Sequence, residues 1–203
     1  MSATVLIDYG AGNLRSVANA LHSLDADVVV ISRGEDFPTH PARVILPGVG
    51  SFGDSMRELT SRGLADPVRR AIKDGIPFLG ICVGYQLLFE GSEESPEIAG
   101  LGILSGRVKR FLPGKKIPHM GWNAVHPVNP QHPCWNGMDK NPYFYYVHSY
   151  FPEPTDQTII AATTEYEETF AAAVIRENLW AVQFHPEKSQ DSGLQLLKNF
   201  LAQ

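Results

Sequence analysis

The sequence is short of cysteine, of surplus positive charge and of long apolar runs, and each shortage closes off a class of function. Its 203 residues hold only two cysteines, Cys82 and Cys134. That is too few for a disulfide framework, so a reducing compartment and two free thiols are expected. Lys and Arg number 17 against 22 Asp and Glu, a formal net charge of −5. A nucleic-acid binder would show a basic patch, and the basic residues here are scattered except for pairs such as Arg69-Arg70 and Lys115-Lys116, read as solvated surface. No apolar stretch approaches the roughly 20 residues of a membrane span. The N-terminus runs directly into Thr4-Val5-Leu6-Ile7-Asp8 without a signal-peptide pattern. A cytoplasmic protein with no nucleic-acid and no membrane partner is expected. Internal repeats, low-complexity tracts and linkers are lacking too, so residues 1–203 are expected to form one domain.

What is there is ordinary globular material, 43% hydrophobic and 19% charged. Thr4 to Ile7 reads as a buried strand, followed by the turn Tyr9-Gly10-Ala11-Gly12. That turn lacks the third glycine of a dinucleotide fingerprint, so no nucleotide cofactor is expected. Leu14, Val17, Ala18, Leu21 and Leu24 then recur at helical spacing. Strands are expected at Val28–Ile31, Val44–Leu46 and Ile76–Gly80, and helices over 51–64 and 64–73, broken near Gly63 and Pro67. Alternating strands and helices up to Phe89 imply an α/β fold with a doubly wound, mostly parallel sheet, whose sites lie at the carboxyl ends of strands. Beyond Gly91 an added β-rich, turn-rich segment follows, with a hairpin turn at Glu177-Asn178. A last helix is expected to be capped by Asp191 or Ser192.

Chemistry concentrates at Gly80-Ile81-Cys82-Val83-Gly84-Tyr85-Gln86. An apolar run, a cysteine between glycines and a new apolar segment make the strand, sharp turn and helix of a nucleophile elbow. A helix N-terminus pointing at the sulfur favours thiolate over thiol. By itself the stretch is equally a small buried cysteine after a strand. A thiol nucleophile needs a base and an orienting carboxylate, and Phe184-His185-Pro186-Glu187 offers both, with His185 and Glu187 leaving the same side of an extended chain. Cys82, His185 and Glu187 are the catalytic candidates. Attack on a carbonyl also needs N–H donors for the oxyanion: Val83, just after the nucleophile, and Val49 in Pro47-Gly48-Val49-Gly50, where flanking glycines free the peptide planes to rotate. His119, His126, His132 and Cys134 match no usual zinc spacing, so no metal is expected.

Together these motifs resemble the triad-type (class I) glutamine amidotransferases. Asp8-Tyr9-Gly10-Ala11-Gly12-Asn13-Leu14, Pro118-His119-Met120-Gly121-Trp122-Asn123 and His185-Pro186-Glu187-Lys188-Ser189 look, within them, like the glutaminase subunits of imidazole glycerol phosphate synthases. The resemblance runs from the first strand to the last helix. It implies hydrolysis of glutamine to glutamate and ammonia, with the ammonia passed to a (β/α)8-barrel cyclase subunit in a heterodimer. That cyclase makes imidazole glycerol phosphate and an aminoimidazole carboxamide ribotide in histidine biosynthesis. The resemblance also implies that Gly50, Gln86, Ser149 and Tyr150 hold glutamine and that Asn13, Trp122, Tyr145 and Lys188 face the cyclase. A glutaminase serving another acceptor, a non-catalytic regulatory subunit and a cysteine peptidase are the alternatives.

Overall fold

The computed structural model describes residues 3–112, 116–166 and 168–203. Lys115 of the basic pair read from the sequence lies outside the described residues. In chain order the strands are β1 Thr4–Ile7, β2 Val28–Ile31, β3 Arg43–Leu46, β4 Phe78–Ile81, β5 Gly91–Ser92, β6 Ser95–Ala99 and β7 Gly106–Arg110. They continue with β8 His119–Ala124, β9 His126–Pro127, β10 Tyr143–His148, β11 Tyr150–Pro154, β12 Ile160–Glu165, β13 Thr169–Arg176 and β14 Leu179–Val182. The helices are α1 Leu14–His22, α2 Phe52–Ser61, α3 Ala65–Lys73, α4 Val83–Gln86 and α5 Gln190–Leu201.

Eight strands form the central sheet in the order β2-β1-β3-β4-β14-β13-β12-β9. From β2 to β14 every neighbouring pair is parallel, and from β14 to β9 every pair is antiparallel. β1, β4 and β14 are buried along their whole length, as near-continuous apolar strands covered on both faces must be. The β13–β14 hairpin turns at Glu177-Asn178, with Glu177 in the left-handed region at φ 53°. A second sheet, β11-β7-β5-β6, and a two-stranded ribbon of β8 and β10 complete the fold.

Three local expectations are corrected. Gly63, at φ 67°, does separate α2 from α3, but Pro67 sits in the first turn of α3, where its missing N–H costs no intrahelical bond. The segment after Cys82 makes only one helical turn, so it contributes far less dipole than a full helix. The last helix starts at Gln190 after Ser189, earlier than a cap at Asp191 or Ser192; Ser189 Oγ is taken up by the His185 carbonyl at 2.6 Å and by the Tyr145 N–H at 2.9 Å.

This topology assembles the site. β3, β4 and β14 are consecutive parallel neighbours, and the chain leaves their carboxyl ends as Pro47–Gly50, Cys82 and Gln183–His185. Phe184, fully buried and stacked on Phe144 at 4.0 Å, anchors the last of these segments.

Candidate active site

Cys82 sits at φ 55°, ψ −109°, a strained conformation for a residue with a Cβ. The turn holds because its N–H donates to the Val182 carbonyl at 2.8 Å and its carbonyl accepts from Tyr85 and Gln86 N–H. Gly84 is required by close approach: a Cβ there would collide with the Leu46 carbonyl oxygen. The elbow read from the sequence is thus present, with Cys82 among the residues lining a cavity of about 260 Å³. Val49, Gly50, Val83, Gln86, Ser149 and Tyr150 line that cavity, as does Glu94, which the sequence did not single out.

His185 and Glu187 meet at 2.8 Å, Nδ1–H donating to Oε1, with both side chains fully buried. The contact is made through a 3-10 turn at Pro186–Lys188 rather than through extended chain. His185 Nε2, by contrast, has no hydrogen-bond partner among the described residues. Burial alone would disfavour the imidazolium, but the charge of Cys82 and then the Glu187 carboxylate outweigh it and raise the His185 pKa. Burial likewise pushes the Glu187 carboxyl up, and the bonds and charge of His185 with the bond from Asn13 hold it below the usual value.

Asn13 is therefore not where the resemblance implied. It is 3% exposed, and its Nδ2–H donates to Glu187 Oε1 at 2.9 Å across 174 residues of sequence. Its amide is a cap on the carboxylate, too deep to meet a partner surface. Trp122, 47% exposed, packs edge-on against Tyr145 with ring centroids 6.2 Å apart, and Lys188 Nζ lies 6.0 Å from the Tyr145 ring centre. Those three share one surface. The β8–β10 register puts Met120 and Tyr143 on the same face, both exposed.

The oxyanion tract is partly pinned. Tyr9 Oη–H donates to the Pro47 carbonyl at 2.8 Å, and the Val83 N–H donates to the Gly48 carbonyl at 3.4 Å. A Cβ at Gly48 would collide with the Tyr9 hydroxyl and come 2.7 Å from the Gly84 nitrogen. Gly48 is a close-packing glycine rather than a free pivot, whereas Gly50 sits at φ 99° with open space where a Cβ would be.

Gln86 lies beside the cavity, but its Nε2 is already bonded to the Tyr150 carbonyl at 3.0 Å and to Gln183 Oε1 at 3.1 Å. The same carbonyl accepts from His148 Nδ1–H at 2.8 Å, and His148 Nε2 faces His119 Nδ1 at 2.9 Å. Because a carbonyl only accepts, His148 carries its proton on Nδ1, and His119 Nδ1–H must donate to it. Burial lowers the pKa of His119 to about 4 and that of His148 to about 3, so both are neutral near pH 7. His126 and His132 serve elsewhere: His126 Nδ1 meets Asn141 Oδ1 at 3.3 Å, and His132 Nδ1 accepts the Cys134 N–H at 3.1 Å.

Comparison with known proteins gives the chain's family. The family description Glutamine amidotransferase class-I matches residues 5–203. The chain belongs to that family. This amidotransferase is 49% identical to imidazole glycerol phosphate synthase subunit HisH of Methylococcus capsulatus, over 99% of this chain and 96% of that protein. It is 50% identical to the protein of the same name in a Cyanothece species, over 100% and 97%. Among solved structures it resembles PurLQS from Thermotoga maritima, with a TM-score of 0.77 at 20% identity, covering 100% of this chain and 99% of that one. It also resembles the glutaminase domain of Trypanosoma brucei CTPS, with a TM-score of 0.66 at 14% identity, covering 100% and 95%. These two likenesses are ones of fold.

Proposed function

We propose that the chain hydrolyses glutamine to glutamate and ammonia as the glutaminase subunit of an imidazole glycerol phosphate synthase, supplying the ammonia used in histidine biosynthesis. The observation that carries this reading is the buried His185–Glu187 pair, electrostatically coupled to a strained cysteine that lines a cavity. Raising the imidazolium's pKa beside Cys82 favours a charge-separated thiolate–imidazolium pair, the state needed for attack on an amide.

In this mechanism the Cys82 thiolate forms a bond to the side-chain amide carbon of glutamine, and the carbonyl electrons move to oxygen. N–H groups of Val83 and Val49 stabilise that oxyanion, which requires the Val83 N–H to leave the Gly48 carbonyl. As the C–N bond breaks, His185 Nε2–H gives its proton to the nitrogen and ammonia departs, leaving a glutamyl thioester. His185, now neutral, takes a proton from water as the water attacks the thioester. Glutamate leaves and the thiolate–imidazolium pair returns. Glu187 holds the imidazole in the tautomer that keeps Nε2 available, and Asn13 fixes Glu187. Gly50, Gln86, Ser149 and Tyr150 shape the pocket, and the Glu94 carboxylate gives the substrate's ammonium group a counter-charge.

Free ammonia would protonate in solvent, so a receiving subunit is needed; the relatives are named as a subunit of a synthase, and the partner proposed here is a (β/α)8-barrel cyclase in a heterodimer. The exposed Trp122 and Lys188 with the half-buried Tyr145 between them, and Met120 and Tyr143 beside them, supply its docking surface. Glutamate release assayed with and without the cyclase tests the reading. Turnover lost in Cys82→Ala is expected, and full turnover by that variant would overturn it.

A further inference from the structure

Gln183 has no part in the chemistry described so far, yet it is wholly buried and sits between two residues of the site. Its Oε1 accepts from Gln86 Nε2–H at 3.1 Å, and its Nε2–H donates to the Cys82 sulfur at 3.6 Å. The amide orientation is fixed by the first bond: Gln86 presents a donor, so the Gln183 oxygen must face it and the nitrogen must face the sulfur. Gln86 is fixed in turn by the Tyr150 carbonyl. A neutral thiol is a weak acceptor, whereas a thiolate is a strong one, so a buried N–H aimed at sulfur is worth most when the sulfur is charged.

We propose that Gln183 is a catalytic residue that donates a hydrogen bond to the Cys82 thiolate, raising the thiolate fraction before attack and again favouring sulfur as the leaving group when the thioester is hydrolysed. This rests on the glutaminase reading and adds a third group to the sulfur's surroundings. The titratable groups facing that sulfur are His185, backed by Glu187, and Tyr9 from the loop after β1; His148 acts on His185 from the ribbon. Tyr9 is held neutral by burial, so none of these replaces a neutral donor in direct contact with sulfur. During attack charge leaves sulfur for the oxyanion, so the bond weakens in the first transition state. The donor therefore governs how much thiolate exists at a given pH more than how fast the thiolate reacts.

The test is the pH profile of Cys82 alkylation by iodoacetamide in the complex with the cyclase, Cys134 being followed separately by peptide mass spectrometry. Gln183→Met keeps the volume and removes the N–H without adding a charge beside the sulfur, and Gln183→Leu is a second uncharged variant that does the same. Losing a hydrogen bond to a charged group lowers the thiolate fraction about 10- to 100-fold, which moves the midpoint up by about one to two pH units. Glutamine turnover at pH 7 should fall in step and recover as pH rises. If Gln183 only braces Gln86, Gln183→Met and Gln183→Leu will alkylate with the wild-type profile, and that result from whichever of the two folds overturns the proposal. Wild-type protein that fails to turn over glutamine with its partner present would instead sink the glutaminase reading, leaving the alkylation shift as a separate result.

Discussion

Replacing Glu187 by Gln gives a sharp test because the structure fixes which way the new amide must sit. Glu187 Oε1 accepts both bonds, from His185 at 2.8 Å and from Asn13 at 2.9 Å, while Oε2 is buried without a hydrogen-bond partner. A glutamine can place its carbonyl oxygen at the Oε1 position and accept both N–H groups, leaving its nitrogen where Oε2 lay. The imidazole then keeps its tautomer. What is lost is charge assistance, the difference between a bond to an ion and a bond to a neutral group, about 1 to 2 kcal/mol. The expected fall in glutaminase kcat is therefore about 5- to 30-fold. In serine proteases the corresponding amide substitution inverts the tautomer and costs about ten-thousand-fold. Glu187→Ala, which abandons Nδ1 altogether, should lose more, and His185→Ala more again. The assay is glutamate release at saturating cyclase and cyclase ligand. Burying an unpaired NH2 should also lower the melting temperature of Glu187→Gln, so kcat is to be measured well below it. A Glu187→Gln protein as inactive as Glu187→Ala would refute the reasoning.

Trp122→Ala should weaken cyclase binding by about 2 kcal/mol or more in a titration while leaving the melting temperature unchanged, because the ring is half exposed. A lowered melting temperature with unaltered affinity would make Trp122 a structural residue. Gly48→Ala should destabilise the fold and abolish activity, since its Cβ meets Tyr9 and Gly84; Gly50→Ala, free of collisions but held at φ 99°, should fold and turn over slowly. A wild-type melting temperature for Gly48→Ala would contradict this. His119 and His148 have folded pKa values below their unfolded value of about 6.5, so the unfolded chain binds more protons between pH 6.5 and the folded values of about 4 and 3. Stability is thus fully present above about pH 6.5 and is lost as pH falls through that window. Urea midpoints should drop steadily from pH 7 to pH 5, and a flat profile would show that these histidines do not stay neutral.

Much of the site is legible locally because its groups are close in sequence or punctuated by glycine. Gly80 and Gly84 around Cys82 announce the turn, and His185 and Glu187 are near enough to be paired from spacing, although a 3-10 turn rather than a strand brings them together. The strands β1 to β4 and the Glu177-Asn178 hairpin follow from apolar runs and turn residues. What spacing could not reveal depends on tertiary register. Asn13 reaches Glu187 only because α1 packs beside the turn after β14, and His119 faces His148 only because β8 and β10 pair in that register. Gln183 stood in plain view two residues before His185. Its link to Cys82 spans 101 residues and requires β4 and β14 to be neighbours, which no local pattern states. The single turn of α4 was also unreadable, since an apolar run looks the same whether it continues as helix or as buried coil.

The central claim is that Cys82 forms the covalent bond to glutamine's side-chain carbon. Its most direct test is peptide mass spectrometry after incubation, with and without the cyclase, with a glutamine analogue carrying an electrophile at the amide position. A single adduct on Cys82, protected by glutamine and missing from the Cys82→Ala protein, with Cys134 unmodified in its buried site, is the predicted result. Labelling at Cys134, or glutamine turnover that continues while Cys82 is fully blocked, would contradict the account.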